Sequence, residues 1–284
     1  MNARLTECRR ARGLTAALAF LALFAAAPAV AQDDEHAAEE EEERRGRIVT
    51  IGGGAQLYPR FPGDDELGIF PMPIVNVRRE GDPLPLEAPD EGWGFGILGR
   101  DSAVNFGPAL AFQSRRRDED VGAAVGEVAF TIEAGAFVEA YLGETFRLRA
   151  EGRRGIGGHQ GGLGDLGADL FLRSGNSSIF SIGPRLRLAD DDYMDAYFGV
   201  TPAVAASTGL APFNPGGGVH SVGATAGLQF HMGGGIGIHG YARYDRLVGD
   251  AGDSPIVASF GSRDQFGAGV GLSYSFTVRR SRRR

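Results

Sequence analysis

Cysteine and lysine are the residues that this sequence lacks. The single cysteine, Cys8, lies close to the N-terminus, and lysine is absent altogether. The chain after residue 8 therefore has no disulfide, no thiol nucleophile and no cysteine-based metal site. From Gln32 onward the chain contains 25 basic and 35 acidic residues. The resulting net charge of −10 argues against a nucleic-acid partner.

Long hydrophobic runs are also lacking, with one exception at the N-terminus. Four arginines open the chain and precede the run "LTAALAFLALFAAAPAV", which ends in the A-x-A pattern Ala29–Ala31. This order predicts a secretory signal peptide over residues 1–31, cleaved before Gln32. The alternative, a membrane anchor, is disfavoured because the run is alanine-rich and short for the roughly 20 residues of a spanning helix.

The segment 32–47 carries an acidic run with almost nothing to bury, and it is predicted to be a disordered leader. Beyond it no apolar run has the length of a spanning helix, so only a barrel could cross a bilayer. Strand-like segments of about ten residues alternate with Gly, Asp, Asn, Ser and Pro to the end of the chain. We predict one barrel domain over residues 48–278, followed by a basic tail at 279–284.

Twelve strands are predicted, with ten as the alternative. Their ranges are 48–57, 67–77, 84–98, 104–114, 126–142, 145–155, 162–173, 178–189, 193–206, 219–231, 235–247 and 266–278. The first four are the weakest, since Pro71, Pro73, Pro83 and Pro85 cannot donate ladder hydrogen bonds. An even number of strands brings both chain ends to the same side of an antiparallel barrel.

The two faces of these strands differ consistently, with apolar and charged residues at alternate positions. A soluble β-sandwich would produce the same alternation. Three observations favour an all-β, antiparallel transmembrane barrel in the bacterial outer membrane: the apolar faces run for five to eight positions, the chain is exported without cysteines, and aromatics lie near strand ends. Those aromatics are Tyr141, Tyr193, Tyr244, Tyr274 and Phe276.

The charged face is predicted to point into the lumen, because Arg at the lipid midplane costs roughly 2 to 4 kcal/mol. The predicted lattice consists of Glu133, Glu139, Arg147, Arg149, Glu151, Arg153, Asp165, Asp169, Arg185 and Arg187. Such a lattice is either a selectivity-setting pore lining or a structural plug of ion pairs. The register follows from the loop 143–145: a three-residue hairpin sets Glu139 opposite Arg149, whereas a two-residue loop would set Glu139 opposite Leu148 and mix the faces.

Motifs for catalysis or cofactor binding are weak. Two G-x-G-x-x-G patterns, at 94–99 and 235–240, do not lie between a strand and a helix, so neither offers a helix N-terminus to a pyrophosphate. The histidines form no short metal-binding pair, and no G-x-S-x-G occurs. We therefore expect no enzyme, no cofactor and no metal.

Several ordered blocks carry a family resemblance: "RRGIGGHQGGLGDLGADL" from Arg153, "YFGVTPAVAASTGL" from Tyr197, "NPGGGV", "RLVGDAGDSPIV" and the closing "GVGLSYSF". Together they resemble the MipA/OmpV family of outer-membrane proteins, the MltA-interacting proteins. The resemblance implies a lipid-embedded barrel and a scaffold that brings a lytic transglycosylase and a murein synthase together. Other members are described as porin-like or as adhesins. Gly271, Tyr274 and Phe276 resemble the C-terminal signal read by the outer-membrane assembly machinery.

Two functions therefore remain open from the sequence. A scaffold would hold periplasmic murein hydrolases and synthases on its turns and termini, whereas a porin-like channel would pass small solutes through the lumen. About twelve strands lie between the filled barrels of 8 strands and the open ones of 16 to 18. A third expectation concerns the tails: the acidic leader and the Arg-rich tail emerge on the same, periplasmic side, where the tail could dock an acidic partner.

Overall fold

A computed structural model of the protein describes residues 46–98 and 102–279. The predicted signal peptide, the leader up to residue 45 and the tail beyond Arg279 lie outside these residues. Eleven antiparallel strands form one sheet: β1 Arg47–Pro59, β2 Leu67–Arg79, β3 Trp93–Gly94, β4 Val104–Gln113, β5 Thr131–Leu142, β6 Phe146–Gly157, β7 Gly162–Ser174, β8 Ser178–Ala189, β9 Gly218–His231, β10 Ile236–Leu247 and β11 Asp264–Val278.

Each strand pairs mainly with its neighbours in sequence, and the first and last long strands also pair. The order is β2-β1-β11-β10-β9-β8-β7-β6-β5-β4-β3, with Arg47 of β1 opposite Val278 of β11. The first and last residues of the described chain therefore lie at the same end of the wall. This is the arrangement of an outer-membrane β-barrel wall.

The connections differ in length at the two ends of the wall. Those at the end shared with Arg47 and Val278 include the short turns 143–145, 175–177 and 232–235. The opposite end carries longer connections, among them 114–130, 190–217 and 248–263. Because outer-membrane barrels have short periplasmic turns and long extracellular loops, the short turns mark the periplasmic end.

The burial pattern is inverted relative to a soluble protein. On β11, Leu272 is 60% exposed while its neighbour Ser273 is 6% exposed. Large exposed apolar side chains occur on every strand of the wall, and most of the buried polar side chains face the interior. A surface that exposes Leu, Val and Phe and buries Arg and Glu is suited to lipid, not water. The predicted assignment of apolar faces to the lipid is confirmed.

Five short helices lie in the extracellular connections: α1 Asp118–Val121, α2 Asp191–Phe198, α3 Pro202–Thr208, α4 Gly249–Asp253 and α5 Pro255–Phe260. Within the described ranges, none of the helices has the length and hydropathy needed to cross a membrane. Side chains from these connections and the adjoining strand ends form a hydrophobic cluster that covers the extracellular end of the wall. Its members include Phe61, Val121, Val128, Tyr193, Met194, Tyr197, Phe198, Val200, Leu247, Ile256 and Val257.

The strand predicted over 193–206 is wrong, because this stretch forms α2 and α3. The Asp190 side chain accepts a hydrogen bond from the backbone N–H of Tyr193 at 3.0 Å, and Pro202 follows the N-cap Thr201. These are ordinary helix start signals that outweigh the apparent alternation. Tyr193 is consequently 4% exposed within the cluster and does not belong to an aromatic girdle.

The strand predicted over 84–98 is also wrong for most of its length. In the ladder only Trp93 and Gly94 pair with another strand, opposite Leu110 and Ala109 of β4, and beyond them the backbone N–H of Ile97 donates to the Phe106 carbonyl of β4 at 2.9 Å. Residues 80–92 leave β2 at the periplasmic end and run into the lumen; we call them the inner segment. Pro83, Pro85 and Pro89 prevent it from joining a ladder.

The predicted register of the 143–145 hairpin is confirmed. Leu142 lies opposite Phe146, Tyr141 opposite Arg147, and Glu139 opposite Arg149. The three-residue loop therefore keeps like faces together. The strand itself begins at Thr131 and not at residue 126, since Val128 makes only an isolated bridge with Arg116.

Candidate functional site

The inner faces of β5 to β8 bring all ten predicted lattice residues together. Glu133 and Glu139 lie on β5, the four residues from Arg147 to Arg153 on β6, Asp165 and Asp169 on β7, and Arg185 and Arg187 on β8. The strand period of two aims each of them inward. Arg147, at 1% exposure, is among the most buried side chains of the protein.

Arginines of β6 bridge carboxylates on both neighbouring strands. Glu139 accepts hydrogen bonds from Arg147 at 3.4 Å and from Arg149 at 3.1 Å. Arg149 also donates to Glu151 at 2.6 Å, and its guanidinium carbon lies 3.7 Å from the centre of the Phe137 ring. Charge pairing and cation–π contact thus hold the same cation.

Arg153 lies between two acids that face each other on neighbouring strands, and it offsets their repulsion. Glu151 and Asp165 lie directly opposite each other across β6 and β7, an arrangement that is unfavourable by itself. The guanidinium of Arg153 donates to both carboxylates, at 2.6 Å to Asp165, and also to Glu133 at 3.0 Å. One guanidinium therefore bridges three acids from three strands, and Arg149 and Arg187 supply further positive charge to Glu151 and Asp165.

The lattice extends to β8 through two aspartates of β7. Asp169 lies 2.8 Å from Arg147 and 2.8 Å from Arg185. Asp165 lies 3.1 Å from Arg187. Each of the ten predicted residues has an oppositely charged neighbour within the lattice. Whether the lattice sets selectivity or serves as a structural plug remains a prediction.

The inner segment supplies two further acids to these arginines. Asp90 accepts from Arg185 at 2.9 Å through both Nε and a terminal nitrogen, from Arg187 at 3.2 Å and from Thr225 at 2.9 Å. Glu91 accepts from Arg147. Burial raises the pKa of Asp90, but the guanidinium groups of Arg185 and Arg187 outweigh burial and hold that pKa below its usual range.

Backbone carbonyls of the inner segment are also held by the wall. Arg173 donates to the carbonyl of Leu84 at 2.7 Å, and Arg147 donates to that of Leu86 at 2.8 Å. Leu84 is buried against Phe171 and Ile179. The segment is therefore packed from the periplasmic end to the middle of the lumen, where Asp90 lies.

Sequence reasoning missed several of these residues. Asp90 and Glu91 were placed on a strand, and only "PLPLEAPDEG", rich in proline and acid, could have signalled an inward loop. On β10, Arg243 and Asp245 share the inner face with Tyr241 and are ion-paired at 2.9 Å. Extending the alternation test to β10 would have found both.

Beside the inner segment lies a cavity of about 870 Å³, lined chiefly by that segment and by β1, β2, β9 and β10. We call it the side cavity. The rings of Tyr58 and Phe70 stack at 4.0 Å on its wall, and the Tyr241 hydroxyl donates to Gln56 at 2.6 Å. His239 and Ser273 share a hydrogen bond of 2.8 Å. The lumen is thus filled along β5 to β8 and hollow along the opposite wall.

At the extracellular end a buried arginine ties the loops together. Arg116 donates to the carbonyls of Tyr197 at 2.7 Å, Ala196 at 2.9 Å and Gly126 at 3.0 Å. The first two carbonyls end α2, where a cation opposes the negative end of the helix dipole. Burial lowers the pKa of Arg116. Burial also raises the pKa of Tyr193 well above its usual value.

The residues of the predicted assembly signal lie together on β11. Tyr274 and Phe276 are exposed, and their rings stack with centroids 6.3 Å apart. Gly271 faces inward beside Ile74, where an added Cβ would come within 2.7 Å of Cδ1. The geometry explains the glycine by close packing, and its use in assembly remains a prediction. Over residues 46–98 and 102–279, no group of three or more His, Cys, Asp or Glu is arranged to hold a metal ion.

Comparison with protein families gives a match over residues 51–276 to MltA-interacting protein MipA. The chain belongs to this family. With the lipid-suited outer surface of the wall, this membership identifies it as a β-barrel protein of the bacterial outer membrane. No curated protein matches the chain.

Among solved structures, the chain is similar to an outer-membrane channel from Pseudomonas putida F1, with 10% identity over 81% of this chain and 96% of that one and a TM-score of 0.41. It is also similar to the channel DcaP of Acinetobacter baumannii, with 8% identity over 81% and 96% and a TM-score of 0.37. The N-terminal barrel of Pseudomonas aeruginosa OprF shares 12% identity over 61% and 96%, with a TM-score of 0.27.

Proposed function

We propose that the protein is a non-enzymatic scaffold in the outer membrane that holds a murein hydrolase and a murein synthase at its periplasmic end. The family description names an interaction with MltA, and the resemblance of the sequence implies a lytic transglycosylase and a synthase as partners. The barrel anchors the complex in lipid.

The observation that carries the proposal is the obstruction of the lumen by the inner segment and the charge lattice along β5 to β8. The inner segment is bound to the wall through Asp90, Glu91 and two backbone carbonyls, and the hydrophobic cluster covers the extracellular end. Buried ion pairs with several hydrogen bonds are strongly destabilised when one partner leaves. A barrel closed in this way supports a role at its surface more than passage through its interior.

The periplasmic surface available to partners is formed by the short turns and the chain ends. The turns 143–145, 175–177 and 232–235 lie at this end, together with the exposed pair Arg279–Glu80 at 3.0 Å. Rigid hairpins present such turns without an entropic cost of ordering on binding. We therefore place partner docking there.

The side cavity favours a porin-like channel as the second candidate. It occupies about 870 Å³ beside the inner segment, and release of that segment would join it to the rest of the lumen. In this case the segment acts as a gate, and the charge lattice lines the opened pore. Conductance distinguishes the two functions.

The test combines binding and conductance on the same refolded protein. Barrels in lipid nanodiscs are incubated with a purified lytic transglycosylase and a purified murein synthase, together and separately, and captured barrels are assayed for both. We expect both enzymes on one barrel and no steady conductance in planar bilayers. An empty nanodisc and a nanodisc with an unrelated barrel are the controls. Failure to capture either enzyme, together with a steady open conductance, would contradict the scaffold function and support the channel function.

A further inference from the structure

Strand pairing in the wall is interrupted between β2 and β4. β3 contains two residues, paired with the middle of β4, and in residues 46–98 and 102–279 no other strand lies between β2 and β4. On β2, Pro71 and Pro73 remove two backbone donors. Prolines are typical of an edge strand that pairs on one side only.

The side cavity reaches this interruption between β2 and β4 and continues through it. Besides inward side chains, the cavity is lined by Pro71 and Val75 of β2 and by Phe112 and Phe130 at the far edge, all of them exposed to the outside of the wall. A cavity inside a barrel contacts lipid-facing side chains only where it passes between strands. The interior therefore opens laterally toward the membrane.

The part of the cavity near this opening is apolar. Phe70, Met72 and Ile74 face inward from the extracellular half and middle of β2, and Tyr58 of β1 stacks on Phe70. The polar inward residues of β2, Asn76 and Arg78, lie nearer the periplasmic end. Glycines on β11 leave room for this row: an added Cβ at Gly269 would lie 3.0 Å from the sulfur of Met72. The row offers a surface for a hydrocarbon chain.

Two buried polar side-chain atoms without hydrogen-bond partners lie on residues of β9 that line the cavity. The His220 Nδ1 and the Ser221 Oγ atoms are buried and make no hydrogen bond in the described structure, and the two residues are 6% and 1% exposed. They lie at a register shift where Arg187 of β8 faces Ser221 and Leu188 faces Val219. Such a bulge re-aims side chains, and buried polar atoms without partners call for a ligand or a water.

We propose that the side cavity binds a single-chain amphiphile that enters from the membrane through the opening between β2 and β4. Its acyl chain lies along Phe70, Met72 and Ile74. Its uncharged, hydroxyl-bearing head forms hydrogen bonds with His220 and Ser221. These two residues lie in the extracellular half of β9, and Phe70 lies in the extracellular half of β2, so chain and head occupy the same level of the barrel. The site is independent of the scaffold proposal, because it uses the lumen and not the periplasmic turns.

The experiment uses the full chain in nanodiscs and a photoreactive monoacylglycerol with a diazirine on its acyl chain. We expect cross-links concentrated in residues 67–79 and displaced by excess 1-monolauroylglycerol. His220→Phe combined with Ser221→Ala should weaken this competition at least tenfold, whereas the matched pair His239→Phe with Ser273→Ala, whose polar atoms bond each other, should change it less than threefold.

A second variant tests the opening without touching the polar site. Ala111→Trp fills the inward edge of β4 and should reduce cross-linking at 67–79 at least fivefold, while Ala136→Trp, which faces lipid on β5, should leave it unchanged. Heat-modifiable migration on gels verifies that every variant is folded. The proposal is overturned if cross-links spread evenly over the lipid-facing surface and resist competition, or if both test variants behave as their controls.

Discussion

Asp90 is the residue on which the closure of the lumen depends most. Its carboxylate accepts four hydrogen bonds, two from Arg185 and one each from Arg187 and Thr225. Asp90→Asn keeps the shape of the side chain and removes its charge. The substitution should therefore weaken the attachment of the inner segment to β8 without creating a cavity.

The magnitude follows from what the two arginines retain. Loss of one partner from a buried ion pair costs roughly 3 to 5 kcal/mol. Arg185 keeps Asp169 at 2.8 Å, and Arg187 keeps Asp165 at 3.1 Å, so we expect the lower end of that range. About 3 kcal/mol corresponds to a roughly 150-fold shift in the equilibrium between the bound and released inner segment.

Hydrogen exchange measures this equilibrium directly in nanodiscs. Amides of residues 84–92 should exchange roughly 100-fold faster in Asp90→Asn, and brief openings should appear in bilayer recordings. Glu87→Gln, an exposed position on the same segment, is the control. An increase in exchange below about threefold, less than 1 kcal/mol, would show that Asp90 does not hold the segment.

Acidification should act in the same direction as Asp90→Asn. Because the folded protein depresses the pKa of Asp90, the stabilisation is fully present above the ordinary aspartate value of about 4. It is lost as the pH falls below that value toward the folded pKa. Exchange of residues 84–92 should accelerate over this window in the wild type, and less so in Asp90→Asn.

The remaining predictions concern the cap, the sheet and the tail. Arg116→Met should lower the stability of the extracellular cap by roughly 2 to 4 kcal/mol, since it removes charged donors from buried carbonyls, and proteolysis of the loops would measure the loss. Gly135→Ala, whose Cβ would overlap the Gly152 carbonyl, should cost roughly 1 to 3 kcal/mol in urea unfolding, while Gly152→Ala, with open space, should be nearly neutral. A chain ending at Arg279 should capture less murein hydrolase than full-length protein near 20 mM salt and equal amounts near 300 mM, because screening weakens exposed charges; equal capture at both would remove the tail from docking.

The sequence by itself determined the wall. Alternation assigned the ten charges of the predicted lattice on β5 to β8 to the inner face, and the three-residue loop at 143–145 set Glu139 opposite Arg149. These features are local: a period of two and a turn length are properties of adjacent residues. Helix start signals at Asp190 and Thr201 were equally local, and the strand predicted there failed because apparent alternation was given more weight than capping residues.

The tertiary structure alone decided what fills the wall. Nothing adjacent to Asp90 indicates that it meets Arg185, because the attraction acts between groups 95 residues apart and depends on which strand faces the folded sheet brings together. The same holds for the side cavity, whose lining combines strands from both ends of the chain. Proline keeps residues 80–92 out of the sheet, whereas their inward direction is stabilised by contacts of Asp90 and Glu91 with arginines of the lumen.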